Sequence, residues 1–425
     1  MRVKKPSLPL QILLLTSLLG ALGFLPYYHS LHYPEISQGC TLILFVWLLG
    51  STKTKKQGFY IVFLPAFLIA LLVVLYASVF FFRTGAPLLP SILAQRAYTY
   101  FLLAPVVYML YLRGWRLADY ERIFVLAAVL TMGGYVVALL TIDLESWALS
   151  GDFYKYTMVT YDEVRGYRLK GPLFTFVFVG IYFGIRTLQV KRILSLCFAS
   201  ALTVLSITLL ISNLPRSTVV STVTALVIYK LFLSRPRYAR LWLLFFPLFA
   251  IFGVLLAGYV LDASIATFSD DMSYLARVET WKKAWEYFLE HPFLGFGQPS
   301  HYSLSFQDVM GEGFEPSDIG LLGVAFQYGL VGLFLYLFFS VWLFVNLLRL
   351  LWACRDTAEP SQGAFLLALL IITLSFLTAS LLQAKFIYGE GIGFGAFSWG
   401  LVLAYKYGLS RGSCDNLERV KDLDR

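Results

Sequence analysis

The stretch "IGLLGVAFQYGLVGLFLYLFFSVWLFVNLL", residues 319–348, contains thirty consecutive residues without a charged side chain. A transmembrane helix needs about 20 apolar residues, so this run is longer than one crossing of a bilayer requires. We therefore expect part of it to be re-entrant or steeply tilted. The stretch by itself predicts an integral membrane protein.

The rest of the chain has the same character. Of 425 residues, 59% are hydrophobic and 14% are charged, which is too apolar for an ordinary soluble domain. Apolar runs bounded by charged residues predict spans at 9–27, 36–51, 58–82, 94–112, 121–142, 172–188, 193–212, 217–234, 241–262, 319–348, 363–384 and 391–408. We predict an all-α, polytopic membrane helical bundle of about twelve transmembrane helices, in which residues 1–425 form a single membrane domain.

The distribution of positive charge predicts the orientation. Lys and Arg resist translocation, and the connections on the side of the N terminus carry most of the 34 such residues. Both termini are therefore predicted to be cytoplasmic. The net charge of +9 reflects this topology and contact with anionic lipid headgroups. The sequence lacks the interleaved basic and aromatic residues that would indicate a nucleic acid partner.

Two predicted exterior loops, 143–171 and the larger 263–318, are longer than simple helix connections. Residues 276–290 of the second loop are amphipathic. Their apolar residues, at three- and four-residue spacing, are Val278, Trp281, Trp285, Phe288 and Leu289, and their charged residues are Glu279, Lys282, Lys283, Glu286 and Glu290. We predict an interfacial helix on the outer membrane surface that ends before Pro292.

Several cations fall on the same predicted side. Arg216 lies in a very short exterior turn, and its planar guanidinium suits a phosphate group as well as it suits a simple interfacial anchor. Arg277 opens the amphipathic helix. Three further cations cluster before the sixth span: Arg165, Arg168 and Lys170. Together these residues suffice to hold a diphosphate, although a solvated charge run is an alternative for the cluster.

Asp318 directly precedes the long apolar run. An ionised carboxylate at a membrane entrance is costly unless it is paired or faces a wet cavity. It is therefore a candidate functional residue, and a helix N-cap is the alternative interpretation.

The order of these features resembles the bacterial O-antigen polymerase and ligase family, which are polytopic membrane glycosyltransferases. "RVETWKKAWEYFLEHPFLGFG" (277–297) is similar to the family's R-x-x-x-W … A … hP-h-h-G-h-G segment. "SDIGLLGVAFQYGLVGL" (317–333) is similar to its H-N-x-x-L … E-x-G-h-h-G-L segment. The resemblance covers residues 165–350. Aligned on Gly329, the family's His falls at Asp318 and its Glu at Gln327.

The resemblance implies a reaction and assigns roles. Arg216 and Arg277 would contact the pyrophosphate of a polyprenyl-linked donor glycan, and Asp318 would replace the family's His as base on the acceptor hydroxyl. The reaction would invert the anomeric carbon, need no metal or other cofactor, and occur on the outer face of the bacterial cytoplasmic membrane. Further substrate-binding candidates are Arg165, Arg168, Lys170, Glu315 and Tyr302. Candidate sugar-stacking residues are Tyr154, Tyr156, Tyr161, Tyr167, Tyr302 and Phe306.

Expected partners are the lipid-linked donor, a glycan or lipid acceptor, the bilayer and a chain-length regulator. Within this family the sequence leaves open a polymerase of O-antigen or exopolysaccharide and a ligase that transfers finished glycan. A transporter or flippase is the alternative from another class. Such proteins usually carry charged or broken positions at mid-span, whereas the charges here collect in the exterior loops. This distribution favours chemistry at one face of the membrane.

Overall fold

The computed structural model describes residues 7–24, 32–51, 56–150, 158–162, 166–213, 216–233, 272–299, 304–311, 314–354, 359–380, 383 and 389–408. The helices of the first part are α1 (Leu8–Ala21), α2 (Tyr33–Ser51), α3 (Lys56–Thr84), α4 (Leu88–Ala94), α5 (Leu103–Leu112), α6 (Leu117–Thr141) and α7 (Leu144–Ala148). The later helices are α8 (Leu173–Gln189), α9 (Ile193–Asn213), α10 (Arg216–Ile228), α11 (Met272–Glu290), α12 (Phe306–Met310), α13 (Gly320–Cys354), α14 (Pro360–Ala379) and α15 (Glu390–Gly408).

The predicted helical membrane fold is confirmed in its coarse form. Five of the described helices are long and apolar enough to cross a membrane: Phe67–Thr84, Leu117–Thr141, Ile193–Asn213, Pro316–Cys354 and Pro360–Ala379. Shorter apolar helices occur at Leu8–Ala21, Leu173–Gln189 and Thr218–Leu231. The predicted span 94–112 is instead built from a 3-10 helix, Arg96–Leu102, that continues into α5. The predicted span 241–262 lies outside the described residues.

The all-α prediction fits the structure, to which the loop 143–171 adds one short β-hairpin. Strands β1 (Val159–Asp162) and β2 (Gly166–Leu169) form an antiparallel hairpin in which Val159 pairs with Leu169 and Tyr161 with Tyr167. Val159 and Leu169 are buried, and the Tyr161 and Tyr167 rings lie 5.0 Å apart. A strand of only four residues gives too short a periodic signal to stand out from the aromatic-rich sequence around it.

Aromatic packing forms the centre of the bundle. The Phe124 ring on α6 contacts four other phenylalanine rings, with centroid distances of 4.5 to 5.8 Å: Phe178 on α8, Phe365 on α14, and Phe394 and Phe397 on α15. Aromatic pairs at such separations attract beyond the burial of their area. Helix α14 is the most enclosed of the five long spans, because 78% of its apolar stretch is buried within the protein.

We name the two ends of the bundle by the contacts made at the two ends of α6. The Tyr135 hydroxyl, near the end of α6, donates to the Leu169 carbonyl at 2.9 Å, so the hairpin lies at that end, which we call the hairpin end. At the start of α6, the Glu121 carboxylate accepts from the Tyr182 hydroxyl at 2.6 Å and from the Ser361 hydroxyl at 3.3 Å. This second group defines the opposite end.

Candidate functional site

The long apolar run is interrupted at Gly329. This residue has φ 63° and ψ −167°, so α13 consists of a short segment, 320–328, and a longer one, 330–354. The residues of the short segment are all buried. The predicted excess length is therefore taken up by a break in the helix, and the two ends of the break need hydrogen-bond partners.

Residues 292–297, which follow α11, supply those partners. Four backbone hydrogen bonds join this turn to the break: Leu330 N to Pro292 O at 2.7 Å, Val331 N to Phe293 O at 3.3 Å, Phe296 N to Phe326 O at 2.7 Å, and Gly297 N to Gln327 O at 2.9 Å. The Tyr76 hydroxyl on α3 donates to the Tyr328 carbonyl at 2.9 Å. The broken helix, the turn and α3 are thus fixed to one another.

Glycine is required at the closest approach of the two segments. A Cβ atom on Gly329 would lie 2.1 Å from the Phe293 carbonyl oxygen, and one on Gly295 would lie 2.5 Å from the Gly329 nitrogen. Both residues have a φ of +63°, which glycine adopts without steric cost. The glycines after the amphipathic helix therefore serve to dock it against the segment that follows Asp318.

Helix α11 extends over Met272–Glu290 and confirms the predicted helix at 276–290. Its predicted apolar face is only partly correct. Val278, Thr280 and Ala284 are buried, whereas the predicted Trp285 and Leu289 are 39% and 60% exposed. The face turned to the protein therefore includes a threonine and an alanine that hydrophobicity alone does not select.

Lys283 is predicted on the charged face of α11, but its side chain bonds that helix to the end of α12. Its ammonium donates to the Met310 carbonyl at 2.9 Å and pairs with Glu279 at 2.7 Å. Arg277 lies near the start of the same helix, and its side chain is exposed. Although α11 packs against the turn that contains Asp318, Arg277 forms neither a hydrogen bond nor an ion pair with Asp318.

Asp318 lies within a 3-10 turn, Pro316–Ile319, directly before α13. Its amide donates to the Glu315 carbonyl at 3.2 Å, and its half-buried carboxylate accepts from the Gln383 side-chain amide at 3.0 Å. The residue in the N-cap position of the turn is Glu315, which is exposed. The carboxylate of Asp318 is therefore held by a side chain from after α14, and the N-cap alternative does not describe its observed hydrogen bond.

Arg168, on β2, contacts the end of α9. Its guanidinium Nη1 donates to the carbonyl of Asn213, the last residue of α9, at 2.9 Å. The Asn213 side-chain amide donates to the Tyr135 hydroxyl at 2.8 Å, and that hydroxyl also bonds to the hairpin. Arg216 begins α10 three residues after Asn213. The fold thus brings Arg168 to the start of α10.

Helix α14 connects α10 with Asp318. The Thr378 hydroxyl near its end donates to the Ser221 carbonyl on α10 at 3.2 Å, and Gln383 follows five residues later. Ser221 is likewise five residues after Arg216, and five helical residues rise about 7.5 Å. Arg168, the start of α10 and Asp318 are therefore linked by contacts at the hairpin end.

The remaining candidates are distributed as follows. Lys170 is exposed beside the hairpin, and its amide donates to the Met158 carbonyl at 2.8 Å. Tyr161 is 63% exposed, but Phe306 is buried, so the expectation that the Phe306 ring is available to a sugar is wrong. The ring instead packs against the Phe296, Phe314 and Phe326 rings, with centroid distances of 5.5 to 6.3 Å. Four candidates lie outside the described residues: Arg165, Tyr302, Tyr154 and Tyr156.

Sequence reasoning missed a carboxylate at the same end. The Glu390 carboxylate, at the start of α15, accepts from the Thr175 amide at 2.8 Å and from the Thr175 hydroxyl at 3.0 Å. It thereby caps the first turn of α8, where the helix dipole favours negative charge. Glu390 is an acidic residue directly before an apolar run, which is the signal that selected Asp318.

Arg83, at the end of α3, was also missed. Its guanidinium donates to the Tyr287 hydroxyl at 2.7 Å and lies 5.5 Å from the centre of that ring. Burial raises the pKa of Tyr287, and the adjacent Arg83 charge opposes this effect. Burial and the same charge lower the pKa of His291. Arg83 thus connects α3 to the amphipathic helix.

A cavity of about 360 Å³ opens at the opposite end of the bundle. Its lining includes Tyr229, Trp352, Glu359 and Gly363, and none of the predicted site residues. Within the part of the chain that the structure describes, no group of three or more His, Cys, Asp or Glu side chains could hold a metal ion.

Part of the chain is similar to a known protein family. Residues 201–337 match the family model described as O-antigen ligase. The matched stretch contains Arg216, Arg277, Asp318 and Gly329. This match bears out the predicted resemblance to the O-antigen polymerase and ligase family over these residues, and it supports a membrane function of the ligase or polymerase type. No curated protein matches the chain significantly.

Proposed function

We propose that the chain is a membrane glycosyltransferase that polymerises or transfers polyprenyl-pyrophosphate-linked oligosaccharide units. The reaction takes place on the outer face of the bacterial cytoplasmic membrane. The observation that carries this proposal is the set of contacts that joins Arg168, the start of α10 and Asp318 at the hairpin end. Cations suited to a diphosphate and a carboxylate suited to a base thus belong to neighbouring segments.

The cations stabilise the leaving group in this proposal. A diphosphate gathers negative charge as the glycosidic bond breaks, so guanidinium groups aimed at it lower the barrier more than they strengthen ground-state binding. Arg168 is already oriented by its bond to Asn213. Arg216 and Arg277 act with it, and Arg277 approaches from α11. Loss of one such contact costs about 2.7–4 kcal/mol in related oxyanion sites.

Asp318 acts on the acceptor. One carboxylate oxygen accepts from Gln383, and the other takes the proton of the acceptor hydroxyl as its oxygen attacks the anomeric carbon. The bond from that carbon to the diphosphate breaks on the opposite face, so the configuration inverts. The polyprenyl diphosphate leaves, and the reaction as proposed requires no metal or nucleotide.

The amphipathic helix positions the site at the membrane surface. Trp285, Leu289 and Phe293 are exposed on or directly after α11, and these side chains enter the interfacial zone of the bilayer. The polyprenyl tail lies along the apolar bundle, while the sugars lie among the loops of the hairpin end. Both termini are then cytoplasmic, together with the opposite end of the bundle.

Analysis of the lipid-linked glycans in a strain that lacks the chain tests the function. Accumulation of single repeat units on the polyprenyl carrier supports a polymerase. Accumulation of long lipid-linked chains identifies the ligase alternative. If the strain retains the wild-type set of lipid-linked glycans, the chain performs neither reaction, and the transporter alternative is favoured.

A further inference from the structure

Gln383 touches the proposed catalytic carboxylate but lies outside the stretch that matches the family model. Its side-chain Nε2 donates to Asp318 Oδ1 at 3.0 Å, across 65 residues of sequence. We propose that Gln383 is a positioning residue that orients the Asp318 carboxylate toward the acceptor hydroxyl. This inference rests on the proposed function and adds a residue to its mechanism.

The chemistry of the pair suits this role. A free carboxylate rotates about its side-chain bonds, and a directed hydrogen bond to one oxygen fixes the orientation of the other. Because the glutamine amide is neutral, it orients the carboxylate without the full positive charge of Lys or Arg. Such a charge would oppose uptake of a proton by the carboxylate. A neutral donor is therefore the appropriate partner for a base.

The backbone amide of Gln383 is bonded to the end of α14. It donates to the carbonyl of Ala379, the last residue of α14, at 2.6 Å. One turn earlier, Thr378 is bonded to Ser221 on α10. The amide that holds Asp318 is thus carried by a segment that also contacts the helix of Arg216. Sites held by rigid elements maintain the geometry that catalysis requires.

The test uses membranes that contain each variant and lipid-linked units extracted from the strain that lacks the chain. The initial rate of conversion is measured per amount of inserted protein, and the unfolding temperature is measured after purification in detergent. Gln383→Leu removes the donor at similar volume, and we expect it to lower the rate about 100-fold, the effect of a small misplacement of a reacting group. Gln189→Leu, at the exposed end of α8, is the matched control and should convert at the wild-type rate.

A double variant that exchanges the two side chains tests whether Gln383 orients the Asp318 carboxylate or only attaches one segment to the other. Asp318→Asn combined with Gln383→Glu keeps an amide, a carboxylate and the net charge, but it moves the carboxylate to the other segment. We expect this protein to keep the wild-type unfolding temperature and to remain inactive. Recovery of the rate by the swap would show that only the attachment matters and would overturn the inference.

The single variants separate this inference from the proposed function. If Asp318→Asn abolishes conversion while Gln383→Leu converts at the wild-type rate, Gln383 has no positioning role and the proposed function stands. A Gln383→Leu protein that loses activity only in proportion to its loss of folded protein would likewise overturn the inference. If both variants convert at the wild-type rate, Asp318 is not the base, and the proposed mechanism fails with the inference.

Discussion

The guanidinium of Arg168 donates to the carbonyl oxygen of Asn213 at 2.9 Å, which ties the β-hairpin to the residue that ends α9. Arg216 follows three residues later, at the start of α10. The Arg168 guanidinium is therefore bonded three residues before the start of the helix that Arg216 begins. The pairing gives the loop 143–171 a defined place in the proposed site.

Arg168→Ala should lower the rate of glycan conversion by about 10²–10³-fold, because it removes one cation from the proposed leaving-group site. Arg168→Lys should give an intermediate rate, since it keeps the charge but loses the planar fork of donors. The rate is measured in membranes with extracted lipid-linked units. Arg192→Ala, an exposed cation near the start of α9, is the control. Equal rates for Arg168→Ala and the control would exclude Arg168 from the site.

Gly329→Ala should strongly destabilise the protein, because the added Cβ would lie 2.1 Å from the Phe293 carbonyl oxygen and the backbone has a positive φ. Gly133→Ala on α6 meets no atom within 4 Å and should be neutral or stabilising by about 0.4–1 kcal/mol. Unfolding temperatures of the two purified variants provide the comparison. If both variants unfold at the same temperature, the close docking of the turn 292–297 is wrong.

Arg83→Ala and Tyr287→Phe should each lower the free energy that is needed to detach α11 from α3. A hydrogen bond to a charged group contributes about 1.5–3 kcal/mol, and the double variant should lose little more than either single one. Hydrogen exchange of the α11 amides measures this attachment. Strictly additive effects of the two substitutions would contradict the 2.7 Å contact between Arg83 and Tyr287.

His291 should make the turn after α11 sensitive to acid. Its pKa in the folded protein is lowered from the ordinary value of 6.5 by burial and by Arg83, so the unfolded chain binds a proton more readily. The stability associated with neutral His291 is therefore complete above that value and is lost as the pH falls below it. His291→Asn should reduce the difference in unfolding temperature between pH 7 and pH 5. An unchanged difference would show that His291 does not contribute.

The sequence predicts the helical membrane fold in its coarse form, because long apolar runs bounded by charges are a local signal. Helix α11 follows from its periodicity, but its buried face does not. Thr280 and Ala284 are buried by the tertiary packing of α11. The hydrophobicity of the individual residues does not reveal which face of the helix is packed. The hairpin was missed because its strands have only four residues each.

The connections within the candidate site could not be predicted for a related reason. Gln383 and Asp318 are 65 residues apart, and Arg168 and Asn213 are 45 apart, so only the tertiary fold brings each pair together. Gly329 carries no sequence signal for a break, since glycine is common within membrane helices. Glu390 was predictable in principle, because it precedes an apolar run as Asp318 does.

The central claim is that Asp318 acts on lipid-linked glycan, and Asp318→Asn tests it most directly. The measurement is the pool of lipid-linked glycans in a strain whose only copy carries this substitution, with Glu359→Gln, an exposed acid before α14, as the control. A general base contributes about 10²–10⁴-fold, so unprocessed lipid-linked glycan should accumulate in the Asn strain, whereas Asp318→Glu and Asp318→His should retain part of the activity. A glycan pool identical to that of the wild type, with normal amounts of the Asn protein in the membrane, would contradict the claim.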